Sequence, residues 1–177
     1  MPKPELYRAL AAYNRAMNAR VYEVCAGIPD AARRADRGAF FKSIHGTLNH
    51  LLYGDRALMN RLAGTAFDLA PVGEDLYESF DELRAERIAT DAEICDWTKT
   101  LDEPWLAAEI AWVSGIDNQQ RVQPRWLLVS HLFNHQTHHR GQLTTLLTQA
   151  GYDVGVTDLP RVVAQDRPGG VRDDRGF

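Results

Sequence analysis

The sequence predicts an all-α fold, an up-down four-helix bundle with a short hairpin between its third and fourth helices. Apolar residues recur at three- and four-residue spacing in four long segments, the period of a helix that buries one face. Glycine or proline stands at most ends of these segments, where helices start or stop. The 177 residues suffice for one domain with a sizeable core, and one long crossover completes such a bundle.

The first two helices are delimited by glycine. Apolar residues at helical spacing predict a first helix over residues 4–26, and Gly27 ends it. Residues 28–38 are polar and are predicted to form a loop. The second helix is expected to run from Gly38 to Ala63, with Gly64 as its stop.

The third and fourth helices flank a segment of different character. Ser79, followed three residues later by a glutamate, has the pattern of a capping box and predicts a third helix over residues 78–101. Residues 105–123 combine β-branched and aromatic residues around a Ser-Gly-Ile-Asp-Asn turn, which predicts two short strands. Pro124 is expected in the first turn of the fourth helix, and Gly151 to close it.

Two units follow from this pattern. Residues 1–160 are predicted to form the bundle domain, and residues 161–177 a polar, glycine-rich tail that does not fold on its own. The formal net charge of −4 gives no basic field that would attract nucleic acid, and no apolar stretch reaches the roughly 18 residues of a membrane span. Cys25 and Cys95 lie in helical patterns and are expected to be reduced, as in a cytoplasmic protein.

The most informative segment lies in the fourth helix, where four of the six histidines fall between His131 and His139. His135 and His139 are four residues apart and therefore lie on one helix face. At about 100° per residue, both histidines and the apolar residues of the stripe on that helix fall within roughly 80° of one another, so the pair lies in the middle of the stripe. The apolar members of this stripe are Leu128, Leu132, Leu143 and Leu146. Buried imidazoles need partners, so the pair predicts either a shared metal ion or two separate hydrogen bonds to hydroxyls or carbonyls.

A stable divalent site needs a third ligand, and the second helix offers one. His50 lies within a stripe of small residues, which lets another helix approach closely. The small residues are Ser43, Gly46, Thr47, Gly54 and Ala57. His45 lies near the opposite flank and is the weaker candidate. Asp55 falls within the large apolar face, where it is expected either to orient a ligand or to hold an arginine.

Three motifs resemble the DinB (damage-inducible) family. Residues 40–62, beginning Phe-Phe-Lys-Ser-Ile-His-Gly, resemble its second-helix signature. The segment His131-Leu-Phe-Asn-His-Gln-Thr-His-His-Arg-Gly-Gln142 resembles its fourth-helix signature, and Tyr13-Asn14-Arg15 with Asn18 resembles its first-helix pattern. One departure is Ala16, where members of the family often have an aromatic residue.

This resemblance implies a DinB/YfiT-like bundle, often a homodimer, with a divalent metal on three histidines. Carried over by motif, the ligands are His50, His135 and His139, and Zn or Ni is the expected ion. His131 and His138 are then flanking residues.

Three imidazoles leave a divalent ion with an open position, as in catalytic zinc sites. Gln136 stands where His-Glu-x-x-His proteases carry their general base, which argues against a protease. Three hypotheses remain: a metal-dependent S-transferase acting on a small-molecule thiol, a metal-dependent hydrolase, and a non-catalytic metal-binding stress protein. Asp55, Tyr13, Tyr53 and His138 are further candidates for proton transfer.

Two neighbours of the histidines also have expected roles. Gln142 lies on the histidine side of the fourth helix and is a candidate hydrogen-bond partner for a ligand ring. Arg140 points away from the stripe and is expected to form a salt bridge. The four tryptophans are expected in the core or at a dimer interface.

Overall fold

The computed structural model describes residues 2–65, 73–113 and 118–165. In chain order, its elements are α1 (Pro4–Ala26), α2 (Asp30–Arg34), α3 (Ile44–Ala63), α4 (Phe80–Lys99), α5 (Glu103–Ala107), β1 (Glu109–Val113), β2 (Gln120–Pro124), α6 (Arg125–Gln149) and α7 (Leu159–Gln165). The all-α class is confirmed. No helix of the described ranges combines the length and apolar character that crossing a membrane requires.

The start of the second long helix differs from the prediction, because α3 begins at Ile44 and not at Gly38. Gly38 and Lys42 both have left-handed backbone, with φ of 69° and 62°, which a continuous helix excludes. A tight turn forms instead, in which the amide of Lys42 donates to the carbonyl of Ala39 at 2.8 Å. Ser43 then caps the helix by accepting from the amide of Gly46 at 3.0 Å.

The other long helices lie close to their predicted positions. Helix α1 has the predicted bounds. Helix α4 begins after Ser79, whose hydroxyl accepts from the amide of Glu82, so the predicted cap is confirmed. Helix α6 begins one residue after Pro124, which ends β2, and Gly151 follows its last turn with φ of 87°.

Three short helices were not predicted, because five to seven residues are too few for an apolar period to show. In α5, the side chain of Asp102 accepts from the amide of Trp105 at 2.7 Å. Helix α7 contains the first five residues of the predicted tail, 161–165, and its Val162 is buried in the core. The remaining tail, residues 166–177, lies outside the described residues.

The predicted hairpin is confirmed. Strands β1 and β2 pair antiparallel, with Glu109 opposite Pro124 and Val113 opposite Gln120. The hairpin leads directly into α6, because Pro124 is both the last residue of β2 and the residue before the first turn of that helix.

Helices α3 and α4 run in the same direction. Asn49 contacts Tyr77 near the start of both, and Arg56 contacts Glu86 further along both. Between helices that are consecutive in the chain, α1 and α3 are antiparallel, α3 and α4 are parallel, and α4 and α6 are antiparallel. Helix α1 packs on α4 and α6, and α3 packs on α6 and α4.

The core has two apolar clusters, one towards each end of the bundle. The first cluster includes Met17, Val21, Ile44, Leu48, Leu83 and Leu143. The second cluster includes Tyr7, Ala11, Leu58, Ile94, Leu128 and Leu132. Full burial of each such Leu, Ile, Val or Met side chain contributes about 1.5–3 kcal/mol. The tryptophans pack against the second cluster as partly buried residues, in agreement with the predicted core role.

Candidate metal centre

The structure brings His50 of α3 together with His135 and His139 of α6. The Nε2 atom of His50 lies 3.2 Å from Nε2 of His135 and 3.1 Å from Nε2 of His139. Among the described residues, these three histidines are the one group of potential metal ligands whose donor atoms all lie within 4.8 Å of one another. They are the three ligands that the family resemblance predicts.

The spacing of the three nitrogens fits a divalent ion. Ligand nitrogens at about 2.0–2.1 Å from a tetrahedral zinc ion stand about 3.3 Å apart, close to the separations in this cluster. Hydrogen bonds alone cannot satisfy the cluster. A neutral imidazole has one N–H, so Nε2 of His50 can donate to only one of its two neighbours.

Gln142 selects the tautomer of His139 that suits ligation. The Nδ1–H of His139 donates to Oε1 of Gln142 at 2.7 Å, which leaves the Nε2 lone pair directed at the cluster. The hydrogen bond predicted between Gln142 and a ligand ring is therefore present. In contrast, Nδ1 of His135 is buried without a hydrogen-bond partner among the described residues, so the alternative of two separately hydrogen-bonded core histidines lacks support.

The three imidazoles are held in the neutral form that metal ligation requires. Burial, followed by the nearby charge of His139, lowers the pKa of His50 to about 4. Burial, with smaller effects of the neighbouring histidines, lowers the pKa of His135 to about 3. Burial also lowers the pKa of His139, against the opposing effect of the hydrogen bond that its Nδ1–H donates to Gln142.

The small residues of α3 provide the space for this arrangement. A Cβ atom at Gly54 would overlap the imidazole of His135, and one at Gly46 would overlap the backbone carbonyl of Phe41. Phe41 in turn stacks on His50, with ring centroids 3.7 Å apart. The role of Phe41 was missed, because its position depends on the left-handed turn at Lys42.

Other candidate residues lie outside the cluster. His45 is buried, and its Nε2 lies 2.9 Å from the backbone carbonyl of Tyr77. Asp55 holds an arginine, because Nη1 of Arg87 donates to it at 2.5 Å, so the second of its two predicted roles is the observed one. The hydroxyl of Tyr13 donates to the carbonyl of Thr157 at 2.7 Å.

The exposed histidines flank the cluster as expected. The ring of His131 lies 6.0 Å from that of His135, and the ring of His138 lies 4.7 Å from that of His139. Arg140 does not form the predicted salt bridge. It is buried and donates to the side-chain oxygens of Asn14 and Gln136. Among the described residues, no carboxylate accepts a hydrogen bond from it. Spacing along a helix gives the face of a residue but not its partner.

A cavity of about 610 Å³ adjoins the cluster at His50. Its lining includes Phe41, Lys42, Ser43, Tyr53 and Asp75. The volume lies within the range of pockets that take small molecules. The site therefore has space for a small ligand beside one of the three histidines.

The DinB family model matches residues 1–169. The chain belongs to the DinB family. A crystal structure of a DinB-like protein from Bacillus cereus ATCC 10987 is similar to it, with a TM-score of 0.59 and 17% sequence identity over 79% of this chain and 89% of that chain. At this identity the likeness supports the DinB-like fold alone. No curated protein matches the sequence.

Proposed function

We propose that this DinB-family protein binds a divalent metal ion on His50, His135 and His139 and uses it as an enzyme on a small substrate. The observation that carries the proposal is the convergence of three neutral imidazoles, with Nε2 separations of 3.1 and 3.2 Å from His50. Zn and Ni are the ions proposed for the site. Imidazole suits both, and the affinity order of divalent ions favours the later transition metals.

Three histidine ligands leave a coordination position open for a substrate or water. A divalent ion there would supply Lewis acidity, which lowers the pKa of a bound water or thiol. We propose a thiol S-transferase or a hydrolase for this reason. A borderline-soft ion such as zinc suits a thiol in particular.

The residues of the chain around the ligands have separate tasks. Gln142 keeps a proton on Nδ1 of His139 and orients the ring. Phe41 covers one face of His50 and keeps water from that face. Gln136 is buried and bound to Asp55, so the position of a protease general base carries no base.

The cavity beside His50 supports the enzyme proposal over a non-catalytic role. A closed structural site needs no adjoining space, whereas a substrate does. The lining carries charges of both signs, from Arg34, Lys42, Glu74, Asp75 and Glu78. Tyr53 brings a phenol to the same cavity, next to the ring of His50.

The test is turnover by the zinc-loaded protein of two model reactions: conjugation of cysteine to an aryl halide, and hydrolysis of 4-nitrophenyl acetate. We expect activity in the wild type, its loss in His139→Ala, and its retention in His131→Ala, which removes an exposed histidine that does not line the cavity. Stoichiometric metal without turnover of either substrate would contradict the enzyme proposal and favour a non-catalytic metal-binding protein.

A further inference from the structure

A ring of buried polar side chains crosses the middle of the bundle. Its six members, from the four long helices, are each at most 4% exposed. They are Asn14 of α1, Asp55 of α3, Arg87 and Asp91 of α4, and Gln136 and Arg140 of α6. On each helix these residues separate the first apolar cluster from the second. We call this set the polar ring.

One half of the polar ring joins α3, α4 and α1. Nη1 of Arg87 donates to Oδ2 of Asp55 at 2.5 Å, and Nη2 of Arg87 lies 2.9 Å from Oδ1 of Asp91. Asp91 then accepts from Nδ2 of Asn14 at 3.5 Å and from Nδ2 of Asn18 at 2.9 Å. These contacts fix α4 against both of its neighbours.

The other half closes the polar ring through α6. Nη1 of Arg140 donates to Oδ1 of Asn14, and also to Oε1 of Gln136 at 3.0 Å. Nε2 of Gln136 donates to Oδ2 of Asp55, the atom from which the first half began. Helix α6 is thereby bound on one side to α1 and on the other to α3.

Stability alone does not account for this arrangement. Two carboxylates and two guanidiniums are buried where each helix otherwise places apolar residues, and well-packed apolar side chains often match or exceed a buried ionic network in stability. Directional hydrogen bonds, in contrast, specify one rotation of each helix, whereas apolar side chains allow several. The polar ring is therefore better suited to setting helix orientation than to adding stability.

The orientation of α6 decides where two of the three clustered histidines point. Gln136 directly follows His135, and Arg140 directly follows His139, so each ring member lies about 100° around the helix from a ligand. A rotation of 10° moves an atom at roughly 6 Å from the helix axis by about 1 Å. Metal–ligand distances tolerate deviations of only about 0.2 Å.

We propose that the polar ring positions the metal ligands by locking the rotation of α6 against α3. The inference rests on the proposed metal site, and it makes Gln136, Asp55 and Asn14 positioning residues. They act through the helices and need not touch the ion or a substrate. Asn14 is the most telling member, because it belongs to α1, which supplies none of the three clustered histidines.

The test uses Gln136→Leu and Asn14→Ala, each of which opens the polar ring at a different place. The matched control is Leu128→Ala, which creates a cavity in the second apolar cluster on the same helix as the two histidines. For each protein, zinc affinity is measured by competition with a chromophoric chelator, ligand geometry by the visible spectrum of the Co(II) form, and Tm without metal. Asn14→Ala keeps the test valid should Gln136→Leu fail to fold.

We expect both ring variants to lose at least tenfold in zinc affinity and to show an altered Co(II) spectrum, at temperatures where the metal-free proteins are folded. Leu128→Ala should lower Tm but keep the affinity within threefold of wild type and leave the spectrum unchanged. Wild-type affinity and spectra in the folded ring variants would overturn the inference alone. Absence of zinc binding by the wild type would instead overturn the proposed function beneath it.

Discussion

Gly54 provides the space in which the ring of His135 lies, so the proposed metal site depends on the residue type at this position. Alanine is favoured over glycine within a helix by up to about 1 kcal/mol, yet a Cβ at this position would overlap the ring of His135. We expect Gly54→Ala to displace that ring and to lower zinc affinity at least tenfold, measured by chelator competition.

Gly141 provides the matched control for this substitution. It lies in α6, and a Cβ there would meet no heavy atom within 4 Å. Gly141→Ala should therefore leave the affinity unchanged and raise the free energy of unfolding by up to about 1 kcal/mol. Equal zinc affinities in the two alanine variants would contradict the packing role of Gly54.

Gln142 carries a second prediction at the residue scale. Its carbonyl oxygen is the partner of the Nδ1–H of His139, and loss of such an outer hydrogen bond typically weakens metal binding by about 10–100-fold. We expect Gln142→Ala to fall in this range by isothermal titration with zinc. Gln149 is an exposed glutamine of the same helix, and Gln149→Ala should bind zinc with wild-type affinity. Wild-type zinc affinity in Gln142→Ala as well would contradict the role of Gln142.

The candidate site could be predicted from the sequence where helix period alone places a residue. His135 and His139 share a face by their spacing, and the small residues around His50 indicate a close helix contact. The burial and partners of Gln136 and Arg140 could not be predicted in this way. The helical period gives the direction in which a side chain points but not the residues that it contacts. The polar ring depends on contacts between four helices that no local pattern encodes.

At the scale of elements, the caps of α3 and α4 lead to a comparison. Ser43 accepts from the amide of Gly46 at 3.0 Å, and Ser79 accepts from that of Glu82 at 3.4 Å. Replacing a capping serine by alanine costs about 0.5–2 kcal/mol. We expect Ser43→Ala to lose about 1 kcal/mol in urea unfolding and Ser79→Ala to lose less. A larger loss of stability in Ser79→Ala than in Ser43→Ala would show that the length of the capping hydrogen bond does not indicate its contribution to stability.

The elements also show what limits prediction of the fold. The long helices, the hairpin and the Ser79 cap follow from periodicity and turn residues that are local in the sequence. The start of α3 was misplaced because Lys42 adopts a left-handed backbone, which lysine rarely does without tertiary support. Helix α7 is not predicted because the sequence around Val162 is polar. The burial of Val162 depends on core residues that are distant in the chain.

The pH dependence of stability is a property of the whole molecule. Burial raises the pKa of the Cys25 thiol to about 12 from an ordinary 9, and burial also raises the pKa of the Tyr22 hydroxyl. Above pH 9 the unfolded chain releases these protons while the folded protein keeps them. The folded state then binds more protons, so the free energy of unfolding falls as pH rises from 9 towards 12.

Urea unfolding at pH 8 and pH 10.5 measures this loss. Cys25→Ala should lose less stability over that interval than the wild type, with the remainder due to Tyr22, Tyr7 and Cys95, whose pKa values burial also raises. Cys95→Ala should recover a smaller part of the loss than Cys25→Ala, because burial raises the pKa of the partly buried Cys95 thiol as well. If the free energy of unfolding of the wild type stays constant or increases between pH 8 and pH 10.5, the prediction is wrong.

The homodimer that the family resemblance implies stays a prediction. The central claim concerns the single chain: three histidines from two helices, oriented by a buried polar ring, hold one divalent ion. Every proposal about substrate, geometry and the role of the cavity depends on that ion being present.

Metal content of untagged protein, purified without chelator or nickel resin, tests this claim most directly. Inductively coupled plasma mass spectrometry should find close to one divalent ion per chain in the wild type and in His138→Ala, which removes the exposed histidine beside the cluster, and almost none in His139→Ala. Metal-free wild-type protein that takes up no zinc on incubation, or equal metal in all three proteins, would contradict the account.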